Sequence, residues 1–172
     1  NGYNNKDIKR ILEQISAVVA SHKGHFEFML SIDGYENIHD EVRGKEGNFK
    51  RIEDIISFVK ERNIVDNFRV GCTVTKPNVL HLHDLYSYCI SQGIYIKYRL
   101  GIPHQRLYTL DKKETYALTL FEKYEFAQFI RGLKEYETNK YQNFFYDSLF
   151  GQLVYNNKRK AGCDWKHRGA TV

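Results

Sequence analysis

The sequence predicts an α/β fold built on a parallel sheet, and two observations carry that prediction. Three short runs rich in Ile, Val, Phe and Tyr (residues 25–33, 68–75 and 94–100) alternate with three stretches whose apolar residues recur at helical spacing. The intervening stretches are long enough for crossover helices, which join parallel neighbours where a tight turn would join antiparallel ones. Right-handed crossovers curl such units into part of a barrel or into an open sheet. In either case chemistry gathers at the C-terminal strand ends.

Each element follows from its residues. Residues 5–22 place Ile8, Ile11, Leu12, Ile15, Val18 and Val19 on one stripe, with Asn5 as N-cap and Gly24 as the stop. His25 to Asp33 alternates and then thickens into an apolar run, as a buried strand does. After a polar loop, Phe49, Ile52, Ile55, Ile56 and Val59 mark a second helix closing near Asn63. Phe68–Thr75 is a second strand, and Pro77-Asn78 breaks it and caps a third helix carrying Leu82, Leu85, Tyr86 and Cys89. Ile94–Leu100 is a third strand. From residue 111 onward the period turns helical, over 112–137 and about 139–150, with Leu118, Phe121, Phe129, Ile130 and Leu133 as the apolar positions. The strand ends to inspect are therefore Ser31-Ile32-Asp33-Gly34, Thr73-Val74-Thr75 and Arg99 to Pro103.

Composition narrows the classes. With 42% hydrophobic and 27% charged residues the chain has the balance of a globular domain rather than a disordered one. No run of 18 apolar residues exists and no signal segment opens the chain, so a cytoplasmic location is expected. The net charge of +5 is spread along the length. Its one dense cluster, Lys158-Arg159-Lys160, lacks interleaved aromatics, so nucleic acid is not expected as a partner, nor is a membrane. Cys72 in a strand and Cys89 on an apolar helix face read as core. The sole methionine is Met29 and the chain stops on a β-type run, Gly169-Ala-Thr-Val172, so both ends are expected to be cut from a longer chain.

The most specific stretch is Ser31-Ile-Asp-Gly34, followed by His39-Asp-Glu-Val-Arg-Gly44 and Gly47-Asn-Phe-Lys-Arg51. It resembles the fourth strand and following loop of radical S-adenosylmethionine (SAM) enzymes, where S-[IL]-D-G, H-D-x-x-R-G and G-x-F-x-R recur in that order. Asn1-Gly2-Tyr3 resembles the end of that family's third strand, and Thr73-Val-Thr75 with Asn78 resembles the end of the fifth. The closing Ala161-Gly-Cys163-Asp-Trp165 resembles the entry to a SPASM extension. The likeness is good over residues 1–103, poor over 104–160 and suggestive over 161–172.

That resemblance implies the C-terminal half of a partial (β/α)6 TIM-like barrel over residues 1–110, a helical connector over 111–160 and the start of a SPASM-like module over 161–172. It implies SAM and a 4Fe–4S cluster as cofactors, with a further auxiliary 4Fe–4S cluster held in part by Cys163. In the family, reductive cleavage of SAM yields a 5′-deoxyadenosyl radical that abstracts hydrogen from a peptide or small-molecule substrate. A flavodoxin or ferredoxin type of electron donor is the expected partner. Ser31 and Arg51 carry over as ligands of the SAM carboxylate, a pairing whose chemistry suits an anion, with Arg43 as a weaker third. Asp33 with Gly34, together with Asn1, Thr75 and Asn78, carry over as further cofactor-site positions. The C-x-x-x-C-x-x-C that holds the cluster does not occur in these 172 residues, so the chain alone is expected to be inactive.

Rival readings stand beside these. Arg43 has Asp40 and Glu41 as surface partners, and Arg51 has Asp54 at i,i+3. His81 and His83, two residues apart, do not share a helix face and make a poor metal pair. The alternative function is a non-catalytic basic α/β domain that binds nucleic acid or a partner protein.

Overall fold

The computed structural model describes residues 5–101 and 116–158. Asn1, Cys163 and the expected SPASM-like segment lie outside the described residues. The described chain divides between Ala117 and Leu118 into two compact units.

The first unit is α/β with a three-stranded parallel sheet. Helix α1 (Asn5–Ser21) precedes strand β1 (Glu27–Ser31); helices α2 (Asn37–Arg43) and α3 (Asn48–Arg62) lead to β2 (Asn67–Val74). A single 3-10 turn (Val79–His81) and α4 (Leu82–Ser91) lead to β3 (Tyr95–Leu100). The strand order is β1-β2-β3, all parallel, with Leu30, Val70 and Ile96 on one rung and Ser31, Gly71 and Lys97 on the next. An α/β sheet of this kind is compatible with part of a barrel.

Alternation along each strand separates two faces. Leu30, Ile32, Val70, Cys72, Val74, Ile96 and Tyr98 are all buried, as are Phe49, Ile52, Ile55, Ile56 and Val59 of α3 and Leu82, Leu85 and Cys89 of α4. This is one continuous layer of branched and aromatic side chains between the sheet and its helices. Cys72 and Cys89 are buried free thiols, as their positions in the sequence imply, and burial pushes the Cys89 thiol up to about 12 and the Cys72 thiol well above its usual value.

Two expectations change. Only Leu12 of the α1 stripe is buried, while Ile11, Ile15 and Val18 stay exposed. The helix is fixed to α3 largely through polar groups: Asp54 accepts from Lys9 Nζ and Asn5 Nδ2, each at 2.7 Å. The stretch expected as a polar loop after β1 contains α2. Its seven residues carry too few apolar positions to announce a helix, and it ends on Gly44 in the left-handed region at φ 61°. There Lys45 N–H reaches the Asp40 carbonyl and Gly44 N–H that of Glu41, a Schellman closure.

Among the described residues the second unit is a pair of helices, α5 (Leu120–Tyr136) and α6 (Lys140–Tyr155). Thr119 and Glu122 form a reciprocal capping box at the start of α5, and Asn139 Oδ1 accepts from the N–H groups of Tyr141 and Gln142 to cap α6. Phe126, Ala127, Phe129 and Ile130 are buried on α5, and Tyr146, Leu149 and Leu153 on α6. Lys134 and Asp147 form an ion pair between the two helices.

Candidate functional site at the strand ends

The S-I-D-G and H-D-x-x-R-G segments close into one hydrogen-bonded unit. Asp33 is 4% exposed at the end of β1. One carboxylate oxygen accepts the Thr73 N–H at 2.8 Å, and the other lies 2.6 Å from Arg43 Nη2. Burial pushes the Asp33 carboxyl above its usual range, and the Thr73 N–H and the Arg43 guanidinium offset part of that rise. Arg43 is therefore bound to Asp33, not to Asp40 or Glu41. Asp40 serves the next helix instead: its carboxylate accepts the N–H groups of Gly47 at 2.5 Å and Phe49 at 2.7 Å, capping α3 from outside.

His39 is fully buried. Its Nδ1 accepts the backbone N–H of Asp33 at 3.0 Å, and its Nε2 lies 2.8 Å from the Asn48 amide. A ring that accepts at Nδ1 and is neutral carries its proton on Nε2. Asn48 must then present its oxygen to the ring. The opposite orientation sets two donors face to face and leaves Asn48 Oδ1 buried without a partner. Burial, with the nearby Arg43 charge adding to it, lowers the His39 pKa to about 4, so the imidazole is neutral at physiological pH.

Gly34 is required by close approach. A Cβ there would lie 2.5 Å from Ile38 Cγ2 and 2.9 Å from the His39 backbone nitrogen. The Asp-Gly pair thus lets the first turn of α2 press against the strand end, which the sequence alone presents only as a tight turn.

Asn78, also fully buried, joins the first two strand ends. Its Nδ2 donates to the carbonyls of Asp33 at 2.7 Å and Thr73 at 2.9 Å, and its Oδ1 accepts the Thr75 N–H at 2.8 Å. Thr75 and Asn78 are thus engaged with the backbone of the site, and Asp33 and Arg43 with each other.

Ser31 and Arg51 differ from these. Ser31 lies on the exposed face of β1, opposite the buried Leu30 and Ile32. Arg51 occupies the first turn of α3 with an exposed side chain; its N–H donates to the Gly47 carbonyl at 3.4 Å and its carbonyl accepts from Asn5 Nδ2 at 3.0 Å. Its i,i+3 neighbour Asp54 binds Lys9 and Asn5. No side-chain hydrogen bond or ion pair joins Ser31 or Arg51 to the described residues.

Among the described residues no group of three or more His, Cys, Asp or Glu side chains is placed to hold a metal ion. Cys72 and Cys89, buried and with thiols held protonated, do not fit as cluster ligands. The Ser31 hydroxyl and the Arg51 guanidinium are donors of the kind a carboxylate takes, and no contact between the two side chains joins them. No helix among the described residues is long and apolar enough to cross a membrane.

The chain is 35% identical over 81 residues to the sporulation killing factor maturation protein SkfB of Bacillus subtilis (strain 168). The match covers 47% of this chain and 19% of SkfB, so it spans about a fifth of that relative. No protein-family model matches the chain. The likeness covers too small a share of SkfB to assign this chain to a family or to carry that protein's role over to it.

Proposed function

We propose that the α/β unit is part of the SAM-binding barrel of a radical SAM enzyme, and that Ser31 and Arg51 hold the carboxylate of the SAM methionyl group. One contrast carries this reading. Asp33, His39, Asp40 and Arg43 are committed to one another and to nearby backbone, whereas the hydroxyl of Ser31 and the guanidinium of Arg51 are exposed and bind no described residue. A charge-assisted pair of donors is suited to a carboxylate, and a guanidinium adds a fork that a lysine lacks.

In this reading Asp33 and Arg43 have a supporting part. The ion pair and the His39 bond fix the backbone just beyond Ser31, so the hydroxyl is presented from a rigid strand end rather than from a loop. Asp40 does the same for Arg51 by capping the helix on which it stands. SAM with a 4Fe–4S cluster, when bound, supplies hydrogen abstraction by a radical. The cluster ligands, an auxiliary cluster at Cys163, a peptide or small-molecule substrate and a flavodoxin- or ferredoxin-like electron donor belong to the same proposal.

The test is SAM affinity in the protein that contains this chain, measured by equilibrium dialysis after anaerobic cluster reconstitution. Ser31→Ala and Arg51→Gln should each weaken SAM binding about tenfold, the loss of one charge-assisted hydrogen bond, while leaving the circular dichroism spectrum unchanged. Wild-type affinity in both variants, or no SAM binding by the wild type, would reject the assignment.

A further inference from the structure

Side chains three or four residues apart on a helix meet at its surface, and opposite charges there pair. The residues at those distances from Arg51 within α3 and its start are Gly47, Asn48, Asp54 and Ile55, and Asp54 is the one carboxylate among them. An unoccupied Asp54 would draw the Arg51 guanidinium along the helix. A guanidinium engaged in that way has less of its donor fork to offer a bound anion.

Asp54 is occupied from another element instead. Its Oδ1 accepts from Lys9 Nζ at 2.7 Å and its Oδ2 from Asn5 Nδ2 at 2.7 Å. The same Nδ2 donates to the Arg51 carbonyl at 3.0 Å, so one amide bridges the two residues of α3. Both of its partners are acceptors, which fixes the orientation of the Asn5 amide even though Oδ1 is then buried without a partner. Lys9 is held in turn. Its Nζ lies 5.3 Å from the centre of the Phe58 ring, one turn along α3 from Asp54. The bonds from Lys9 and Asn5 keep the Asp54 carboxyl below its usual range, so it stays charged and turned to α1.

We infer that Lys9, with Asn5, is a positioning residue for the SAM carboxylate: by holding Asp54 on α1 it keeps the Arg51 guanidinium free for the anion. This rests on the reading of Arg51 given above, and it gives α1 a part in cofactor binding. Lys9 acts through Arg51 and needs no contact with the cofactor. The two halves of the Lys9–Asp54 pair are then unequal. Removing the lysine releases a carboxylate beside Arg51, whereas removing the carboxylate breaks the same pair and releases none.

The experiment measures SAM affinity by equilibrium dialysis in the anaerobically reconstituted protein that contains this chain. Lys9→Met should weaken SAM about two- to threefold at low ionic strength and by less at high ionic strength, as an exposed competing ion pair requires. Lys9→Arg should bind as the wild type does. Asp54→Asn should bind at least as tightly as the wild type, and the double variant Lys9→Met/Asp54→Asn should recover wild-type affinity. Equal losses in Lys9→Met and Asp54→Asn would make the pair a tether and nothing more, which overturns the inference. Wild-type affinity in Lys9→Met overturns it too, as does a double variant that binds as weakly as Lys9→Met. Arg51→Gln tells the two levels apart. A loss there with none in Lys9→Met rejects this inference alone, whereas wild-type affinity there, or no SAM binding by the wild type, rejects the reading of Arg51 and this inference with it.

Discussion

Arg43 reaches back ten residues from the end of α2 to place Nη2 at 2.6 Å from Asp33 Oδ2, so a seven-residue helix is tied to the strand that precedes it. Replacing Arg43 by Gln leaves a buried carboxylate with only the Thr73 N–H. The expected cost is about 1–2 kcal/mol in urea unfolding, below that of a fully buried pair because Arg43 is partly exposed. Asp33 should then titrate higher still, since the charge that offset its burial is gone. A stability equal to wild type would show that the pair contributes nothing.

His39 gives the fold a defined weakness to acid. Its pKa is about 4 in the folded chain and near 6.5 when exposed. The unfolded state therefore gains a proton first as pH falls. The contribution of the neutral ring is complete above pH 6.5 and is lost progressively down to about pH 4, amounting to about 2–3 kcal/mol at pH 4.5. Asp33, whose carboxyl is shifted up, works in the opposite direction over the acid range, so the comparison must be made against His39→Gln. The unfolding free energy should fall more steeply between pH 7 and 4.5 in the wild type than in that variant. Parallel curves would show that the ring titrates normally.

Asn78→Ala should be among the costlier substitutions in the first unit. It strands the Asp33 and Thr73 carbonyls and the Thr75 N–H at once, in a place where Asn78 itself is fully buried. With each unsatisfied group costing about 1–3 kcal/mol and water entering to relieve some, a loss of about 3 kcal/mol is expected. Asn78→Asp keeps the acceptor and loses both donors, so it should fall no lower than the alanine variant only if the carboxyl is protonated. Chemical denaturation of the two variants at pH 5 and pH 7 separates these effects.

Two glycines should respond to alanine with opposite signs. Gly34 has no room, with Ile38 Cβ 2.8 Å from the position a Cβ would take, and Gly34→Ala should destabilise by about 2 kcal/mol. Gly132 lies inside α5 with nothing within 4 Å of that position, and Gly132→Ala should stabilise by about 0.5–1 kcal/mol through helix propensity. Thermal melts of the two variants should move in opposite directions.

The strands and the helices α3 and α4 were legible in the sequence because their apolar residues keep a clean period against a common core. Helix α2 was not, since its support is tertiary: His39 holds the β1 end and Gly44 supplies a left-handed stop. The start of α5 had a local signal in Thr119-Leu-Phe-Glu122, a capping box that periodicity alone passes over. At the strand ends, the motif order picked out segments that the fold joins by hydrogen bonds, but not how the bonds are divided among their residues. Only the side-chain bonds reveal that Asp33 and Arg43 answer each other, that Asp40 caps a helix other than its own, and that Asn48 completes the His39 pair.

The interlock of Asp33, His39, Asp40 and Arg43 bears on how such a motif is weighed in any chain that carries it. These four residues keep a strand, two helix ends and a turn in place, so selection for folding alone would preserve them after all chemistry had gone. Their presence certifies an architecture. On the proposed reading, retained function is better judged at Ser31 and Arg51, whose side chains no bond within the described residues demands and which would drift first in a descendant that had ceased to bind SAM.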